Sequence, residues 1–302
     1  MPVVTLEAAH EARRTLDQTR EAARDSAVWV IPLSADGLGL VAYTWVDAFG
    51  KAGAAGIAFG PSLSAPIFER VDGVEVPDTM TFDDWTVGPM SFSQHDPLLR
   101  SRIDYQGERL EMQFEFEAVH PPYAYSSHVG VFPDWFADDR FEQSGRAKGV
   151  ARVDGKEYVI DTVCHRDRSW GARKWECVSH YKWFNFLSET SAVHVMDLQG
   201  FGRSVVRGYV FRDGQMAEIV SAEFDYDLDP DLFHRRLSAV FTDDADRTTT
   251  VTMTSVTAEL AYPISPFLTL VDLVGPADVE GVAGECYVEM AWPPEYLERN
   301  AR

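Results

Sequence analysis

The segment His165 to Trp175, HRDRSWGARKW, packs six ionisable side chains and two tryptophans into eleven residues. A solvated loop has little use for two indoles, and a buried core tolerates this many charges only when they are paired. Two chemistries fit. In one, Asp167 pairs with the flanking Arg166 or Arg168, and Trp170 and Trp175 are core, which makes the segment a structural salt bridge. In the other, a tryptophan-lined pocket keeps a carboxyl protonated near neutral pH, so that Asp167 or His165 serves as an acid.

The next segments extend the set. In SHYKWFNF, residues 179–186, His180, Lys182, Phe184 and Phe186 alternate with Tyr181, Trp183 and Asn185. In SAVHVMDLQGF, His194 and Met196 share one strand face while Val193, Val195 and Asp197 share the other. A carboxylate on an apolar strand face needs a partner or a task, so Asp197 is a candidate acid poised by burial. Trp170, Tyr181 and Trp183 offer ring faces to a developing cation, and His165, His180 or His194 suit orienting or activating water. A second set, His120, Tyr123, Tyr125 and His128 around Pro121-Pro122, either closes a pocket or packs as an aromatic loop. Three histidines, His165, His180 and His194, have the residue types of a metal site, but no zinc-type spacing supports them, and we expect no metal and no cofactor. No phosphate-binding loop, GxSxG elbow or HExxH helix is present.

These residues must be positioned by strands. From Val28 onward, short runs rich in Val, Ile, Phe, Tyr and Trp are separated by turn pairs such as Asp36-Gly37, Asp72-Gly73, Gln106-Gly107, Asp154-Gly155 and Asp213-Gly214. Asp-Gly supplies the positive φ angles of tight hairpins. In ERLEMQFEFEAV, Leu110, Met112, Phe114 and Phe116 fall on one face and glutamates and a glutamine on the other, a half-buried antiparallel strand. Similar alternation marks 151–163, 204–226, 248–260 and 284–292. A strand over Lys156–Val163 would then release His165–Gly171 as a loop at a sheet edge. Only residues 5–24, with Leu6, Ala9, Ala12, Leu16 and Ala23 among charged neighbours, read as a helix. The fold class is therefore mainly β: an N-terminal helix (1–25), two antiparallel β-barrel domains (26–145 and 146–295) and a tail (296–302).

The chain of 302 residues is 45% hydrophobic and 25% charged, ample for such cores. Its 48 acidic against 27 basic residues give a formal charge of −21, which repels phosphate backbones and anionic lipid, so nucleic acid is not an expected partner. No apolar run has the length of a signal peptide or a membrane span, and we expect a cytoplasmic protein without integral membrane association. Cys164, Cys177 and Cys286 are an odd number without paired spacing and read as reduced fillers.

The run GRAKGVARVDGKEYVIDTVCHRDRSWGARKW (145–175) resembles the start of the second domain in proteins related to carotenoid 1,2-hydratase (hydroxyneurosporene synthase) and their AttH-like, tandem-lipocalin relatives. Asp167, Trp170 and Gly171 match that group's Asp-x-x-Trp-Gly element. The resemblance implies two packed lipocalin-like barrels, an apolar cavity and a cofactor-independent acid reaction on a hydrophobic unsaturated molecule, with alkene hydration, dehydration or isomerisation foremost. It also implies a histidine two residues before the motif tryptophan, where this chain has Arg168, and a downstream aspartate as proton donor, a place that Asp197 fills. Conformational restraint of a polyene, as in a pericyclase, and a non-catalytic carrier of hydrophobic ligands are the alternatives.

Overall fold

The computed structural model describes residues 5–128, 130–228 and 234–296. Strands dominate it, paired antiparallel in two sheets. The first, of eleven strands, runs from Ile67–Glu75 through Lys51–Phe59, Leu38–Asp47 and Ala23–Leu33 to the long hairpin Lys156–Ala172 and Asp139–Val153, then through Leu110–Ala118, Arg100–Gln106 and Met90–Asp96 to Asp84–Val87. The short strand Tyr123–Ala124 pairs off Asp139–Val153. The second, of nine strands, begins at Thr248–Met253 and passes through His234–Asp243, Gln215–Leu228, Arg203–Arg212, Ser191–Gly200, His180–Ser188 and Val282–Trp292 to Leu268–Val279 and Ala258–Ser265. Thr248–Met253 also pairs with Leu268–Val279, which closes all but the last strand into a ring. The expected architecture of two barrel-like β-sheets is thus present.

Period-two alternation explains why there are three apolar layers rather than two. Along Ala23–Leu33, Ala27, Trp29 and Ile31 fill the first barrel, while Val28 and Val30 point out towards its neighbour. Along His180–Ser188, Phe184 and Phe186 fill the second barrel, while Tyr181 and Trp183 point out. The outward sets meet in a shared layer that includes Tyr123, Tyr125, Phe136, Leu260 and Tyr287. Strands buried on both faces lose the polar half of their pattern, as VWVIPL and WFNF show.

Asp154-Gly155 and Asp213-Gly214 turn as the sequence predicts, with both residues of each pair at positive φ. Asp72-Gly73 does not: it lies inside the strand Ile67–Glu75 at a register shift, a bulge rather than a hairpin. The expected helix over 5–24 is also corrected. Only Ala8–Glu11 forms a 3-10 turn, and Ala23 already belongs to a strand. Helix propensity is a weak bias, and here it yields to Glu11, which is buried against Arg166 and Arg168 and straps the segment across the end of the first barrel. The strand pairing puts Arg146–Ala172 in the first sheet, whereas the expected division at 145/146 falls within the strand Asp139–Val153. Of the expected tail 296–302, only Tyr296 is among the described residues. Among these residues no helix is long and apolar enough to cross a membrane.

Candidate functional site

A cavity of about 360 Å³ lies between the two barrels, against their outer faces. Val28, Val30 and Ile57 wall it from the first barrel, and Trp183, Met196 and Leu270 from the second. This size suits a small organic molecule. Among the described residues, seven charged ones line it, Arg24, Glu69, Arg70, Arg140, Asp167, Arg173 and Glu289.

The segment that opened the sequence reading contributes to this wall, but as a strand. Lys156–Ala172 continues through the motif instead of releasing a loop after Val163. Its alternation sorts the charges. Arg166 and Arg168 turn into the end of the first barrel, where Arg166 pairs with Glu11 at 2.6 Å and with the Gln143 amide oxygen, and Arg168 pairs with Asp25 at 2.8 Å. His165 and Asp167 turn the other way, towards the second barrel. The flanking arginines therefore cannot reach Asp167, because neighbours in a strand occupy opposite faces. Its partner is Arg140 on the adjacent strand, 2.5 Å from Asp167 Oδ2 and 2.6 Å from Glu142 Oε1. Burial alone would weaken the Arg140 cation, but Asp167 and Glu142 more than offset this. Burial raises the Asp167 pKa, and Arg140 opposes the rise. Gly171 of the motif is required sterically: its φ is +111°, and a Cβ there would sit 2.4 Å from the Asp138 backbone nitrogen.

Behind the cavity lies a buried polar junction centred on Glu142. His165 Nε2 donates to Glu142 Oε2 at 2.9 Å, while Tyr125 and the Trp183 indole both donate to Glu142 Oε1 at 3.1 Å. The Tyr125 hydroxyl is 2.8 Å from His194 Nε2, and His194 Nδ1 faces Asn185 Oδ1 at 2.7 Å. His120 joins through Tyr209, whose hydroxyl is 2.8 Å from His120 Nε2 and 3.0 Å from Ser144 Oγ. Burial drives His120 and His165 down to about 3 and His194 well below its ordinary value, so all three are neutral at pH 7. The donor atoms of Glu142, His165 and His194 lie within 4.8 Å of one another, as metal ligands would. The Arg140 guanidinium already occupies the same carboxylate, and a second cation there would be repelled. The junction is better suited to fixing the two barrels together than to holding a metal.

Asp167, Tyr181 and Trp183 line the cavity, and His165, His194, Tyr125 and His120 stand behind it. Other sequence candidates lie elsewhere. Asp197 is on the inner face of the second barrel, where Lys182 Nζ is 2.9 Å away and Ser204 and Gln199 also donate to it. Burial would raise its pKa, but Lys182 and these donors bring it below the ordinary value, so it is an ionised carboxylate away from the cavity. His180 stacks on Trp292 at 4.1 Å and donates to the Ala291 carbonyl. Trp170 lies under Arg14 at 4.3 Å, Tyr123 donates to Glu218, and Arg168 faces the barrel end. His165, His180 and His194 do not come together, because His180 is at the far end of its strand from Asn185 and His194.

One pair of acids escaped the sequence reading. Asp272 and Glu289 are cross-strand partners, and Glu289 lines the cavity with Tyr287. Tyr181 donates to Glu289, while the buried Asp272 Oδ1 has no hydrogen-bond partner among the described residues. Two buried carboxylates side by side repel each other, which favours a proton on one of them. Burial first, and then the neighbouring Glu289, push Asp272 well above the carboxylate range. Burial also raises Glu289, against the hydrogen bond from Tyr181. A signal was available: Asp272 interrupts the apolar strand LTLVDLV, where a carboxylate has no solvent to charge it.

Three solved structures share this architecture. An AttH-type protein of Nitrosomonas europaea is 12% identical over 92% of this chain and 96% of its own, with a TM-score of 0.63. Kievitone hydratase from Nectria haematococca is 13% identical over 96% and 94%, with a TM-score of 0.63. CghA, crystallised with Sch210972, is 11% identical over 90% and 89%, also with a TM-score of 0.63. At these identities the likeness is one of fold. Comparison with the curated proteins gives no sequence match. Residues 7–294 match the family model described as domain of unknown function (DUF7064), and with nearly the whole chain covered, this protein belongs to the DUF7064 family.

Proposed function

We propose that this protein is an enzyme that transfers protons to and from an apolar, unsaturated small molecule held between its barrels, catalysing hydration, dehydration or isomerisation of a double bond. The observation that carries this reading is the Asp272–Glu289 carboxyl pair at the wall of an apolar, aromatic cavity. Two carboxyls side by side in a low-dielectric site cannot both ionise, so the pair retains one proton near neutral pH. Asp272, raised further, holds it, and Glu289, which lines the cavity, relays it to the substrate. In hydration, the alkene π electrons take that proton to form a C–H bond, leaving a carbocation next to it. The faces of Trp175, Tyr181 and Trp183 stabilise the cation. A water lone pair then forms the C–O bond, Asp167 takes the proton that water releases, and exchange with solvent resets both carboxyl sites. Dehydration is the reverse, and loss of a proton from carbon instead of capture of water gives isomerisation.

The fold shared with kievitone hydratase supports the hydration form. Transfer to an isoprenoid substrate of the carotenoid-hydratase kind gains nothing from Arg168, which faces away from the cavity. The test incubates the protein in D2O with a panel of phenolic, isoprenoid and polyketide alkenes and follows deuterium or water addition by mass spectrometry. Glu289→Gln and Asp272→Asn, checked by circular dichroism, should each lower turnover by about 10²–10⁴. Unchanged turnover in both variants would remove the pair from the reaction. Loss of turnover only on filling the cavity with Ala55→Trp would favour catalysis by restraint, and ligands returned unaltered would favour a carrier.

A further inference from the structure

Part of the cavity wall is basic. Arg24, Arg140 and Arg173 all line it, and the carboxylate in their midst, Asp167, is engaged by Arg140. Among the described residues, neither Arg24 nor Arg173 has a carboxylate within 4.0 Å. Arg173 is built in. Its guanidinium lies over Phe136 at 4.6 Å and Trp175 at 5.4 Å, Nη2 donates to Ser169 Oγ at 2.9 Å and Nε donates to the Phe136 carbonyl at 3.3 Å. Among the described residues, Nη1 has no protein acceptor. Burial, with Arg24 and Arg140 nearby, lowers the Arg173 pKa to about 10 although Asp167 acts in the other direction, so the guanidinium is still charged at pH 7 with no carboxylate bonded to it. The remaining acids of the wall are committed: Glu69 accepts from the backbone of Glu108 and Arg109, and Glu289 accepts from Tyr181.

A desolvated guanidinium without an anion is costly unless something supplies one. Resting on the reading above that the cavity is the substrate site, we propose that it takes ligands with an anionic oxygen function, a carboxylate, enolate or phenolate, held by Arg173 with Arg24 beside it, and an apolar body reaching towards Glu289. Arg173 is then a binding residue that sets which end of the molecule meets the acid pair. Its geometry suits a planar anion, because a guanidinium donates in a fixed fork while its face stacks on aromatic rings.

The test uses two fluorescent probes that differ in one anionic group: 1-anilinonaphthalene-8-sulfonate and its uncharged analogue N-phenyl-1-naphthylamine. Wild type should bind the sulfonate at least about ten-fold more tightly, although the protein's net charge of −21 opposes anions. Arg173→Met should abolish that preference and leave the neutral probe within about two-fold, whereas Arg173→Lys should keep part of it. Circular dichroism and a cooperative unfolding transition establish that each variant is folded. Equal affinity of wild type for both probes, or an unchanged preference in Arg173→Met, overturns the anion site while leaving the cavity reading intact. Binding of neither probe, or binding unaffected by Ala55→Trp, overturns the cavity reading and the anion site with it.

Discussion

Removal of Arg140 is the most direct test of how the inter-barrel charges are held. Its guanidinium bonds Glu142 at 2.6 Å and Asp167 at 2.5 Å, and these two acids face each other across adjacent strands. Arg140→Met keeps much of the volume but leaves two buried carboxyls without their cation. Breaking a buried pair on one side costs about 3–5 kcal/mol. With an unfolding entropy of about 2.1 cal/mol/K per residue, the 302 residues imply roughly 1.6 °C per kcal/mol, so the apparent melting temperature should fall by about 5–8 °C. The cost should also depend on pH. Arg140 opposes the burial that raises the pKa of both acids, so its loss raises them further. An acid with a raised folded-state pKa contributes its stability below the unfolded value, near 4, and loses it as pH climbs through the folded value. The variant should therefore be closest to wild type at pH 5 and furthest from it at pH 8. Adding Glu142→Gln and Asp167→Asn should recover most of the loss and remove its pH dependence. Urea unfolding followed by tryptophan fluorescence and circular dichroism measures all three proteins. A loss below about 1 kcal/mol, or one equal at pH 5 and pH 8, would refute the reasoning.

Three further outcomes are expected. Glu11→Ala removes the carboxylate that meets Arg166 at 2.6 Å and accepts from the Leu98 amide, so it should cost about 3–5 kcal/mol and speed proteolysis within the segment before Ala23; an unchanged urea midpoint and cleavage rate would argue against the strap. Asp197→Asn should leave turnover within about two-fold while costing about 2 kcal/mol through the weakened bond to Lys182, and a collapse of turnover with stability intact would return Asp197 to the chemistry. His165, with a folded-state pKa of about 3, contributes stability that is complete above pH 6.5 and is lost as pH falls towards 3, by up to about 1.4 kcal/mol per pH unit. His165→Gln should therefore flatten the acid limb of the stability curve by about one proton, and parallel limbs would contradict a neutral, buried imidazole.

Much of the framework is legible in local pattern. The alternation of Leu110, Met112, Phe114 and Phe116 with polar residues gives a strand with one buried face, and all four are buried. Asp154-Gly155 and Asp213-Gly214 carry their turns in two residues. The likeness around Asp167-Trp170-Gly171 implies the double barrel, and the fold bears out that plan. Local pattern fails where a long-range contact outweighs it. The N-terminal segment has helix-forming residues, but the buried Glu11 ties it to arginines more than 150 positions away. The motif His165–Gly171 has the composition of a loop, but its charges are paired on two separate faces of one strand.

The sequence by itself determined which residues alternate, and so which side chains share a face: His165 with Asp167, Tyr181 with Trp183, Asp197 with Val193 and Val195. It could not say which face looks into a barrel and which looks across to the other barrel, since both are apolar. Strand register decided that, and register in antiparallel sheets is set by contacts far apart in the chain. It brought Arg140 rather than Arg166 to Asp167, turned Asp197 inward to Lys182, and set Asp272 beside Glu289 with Tyr181 above them, a group spread over more than a hundred residues of sequence. The cavity exists only where the outward faces of two barrels fail to meet completely. That gap is a property of their packing and of no segment alone.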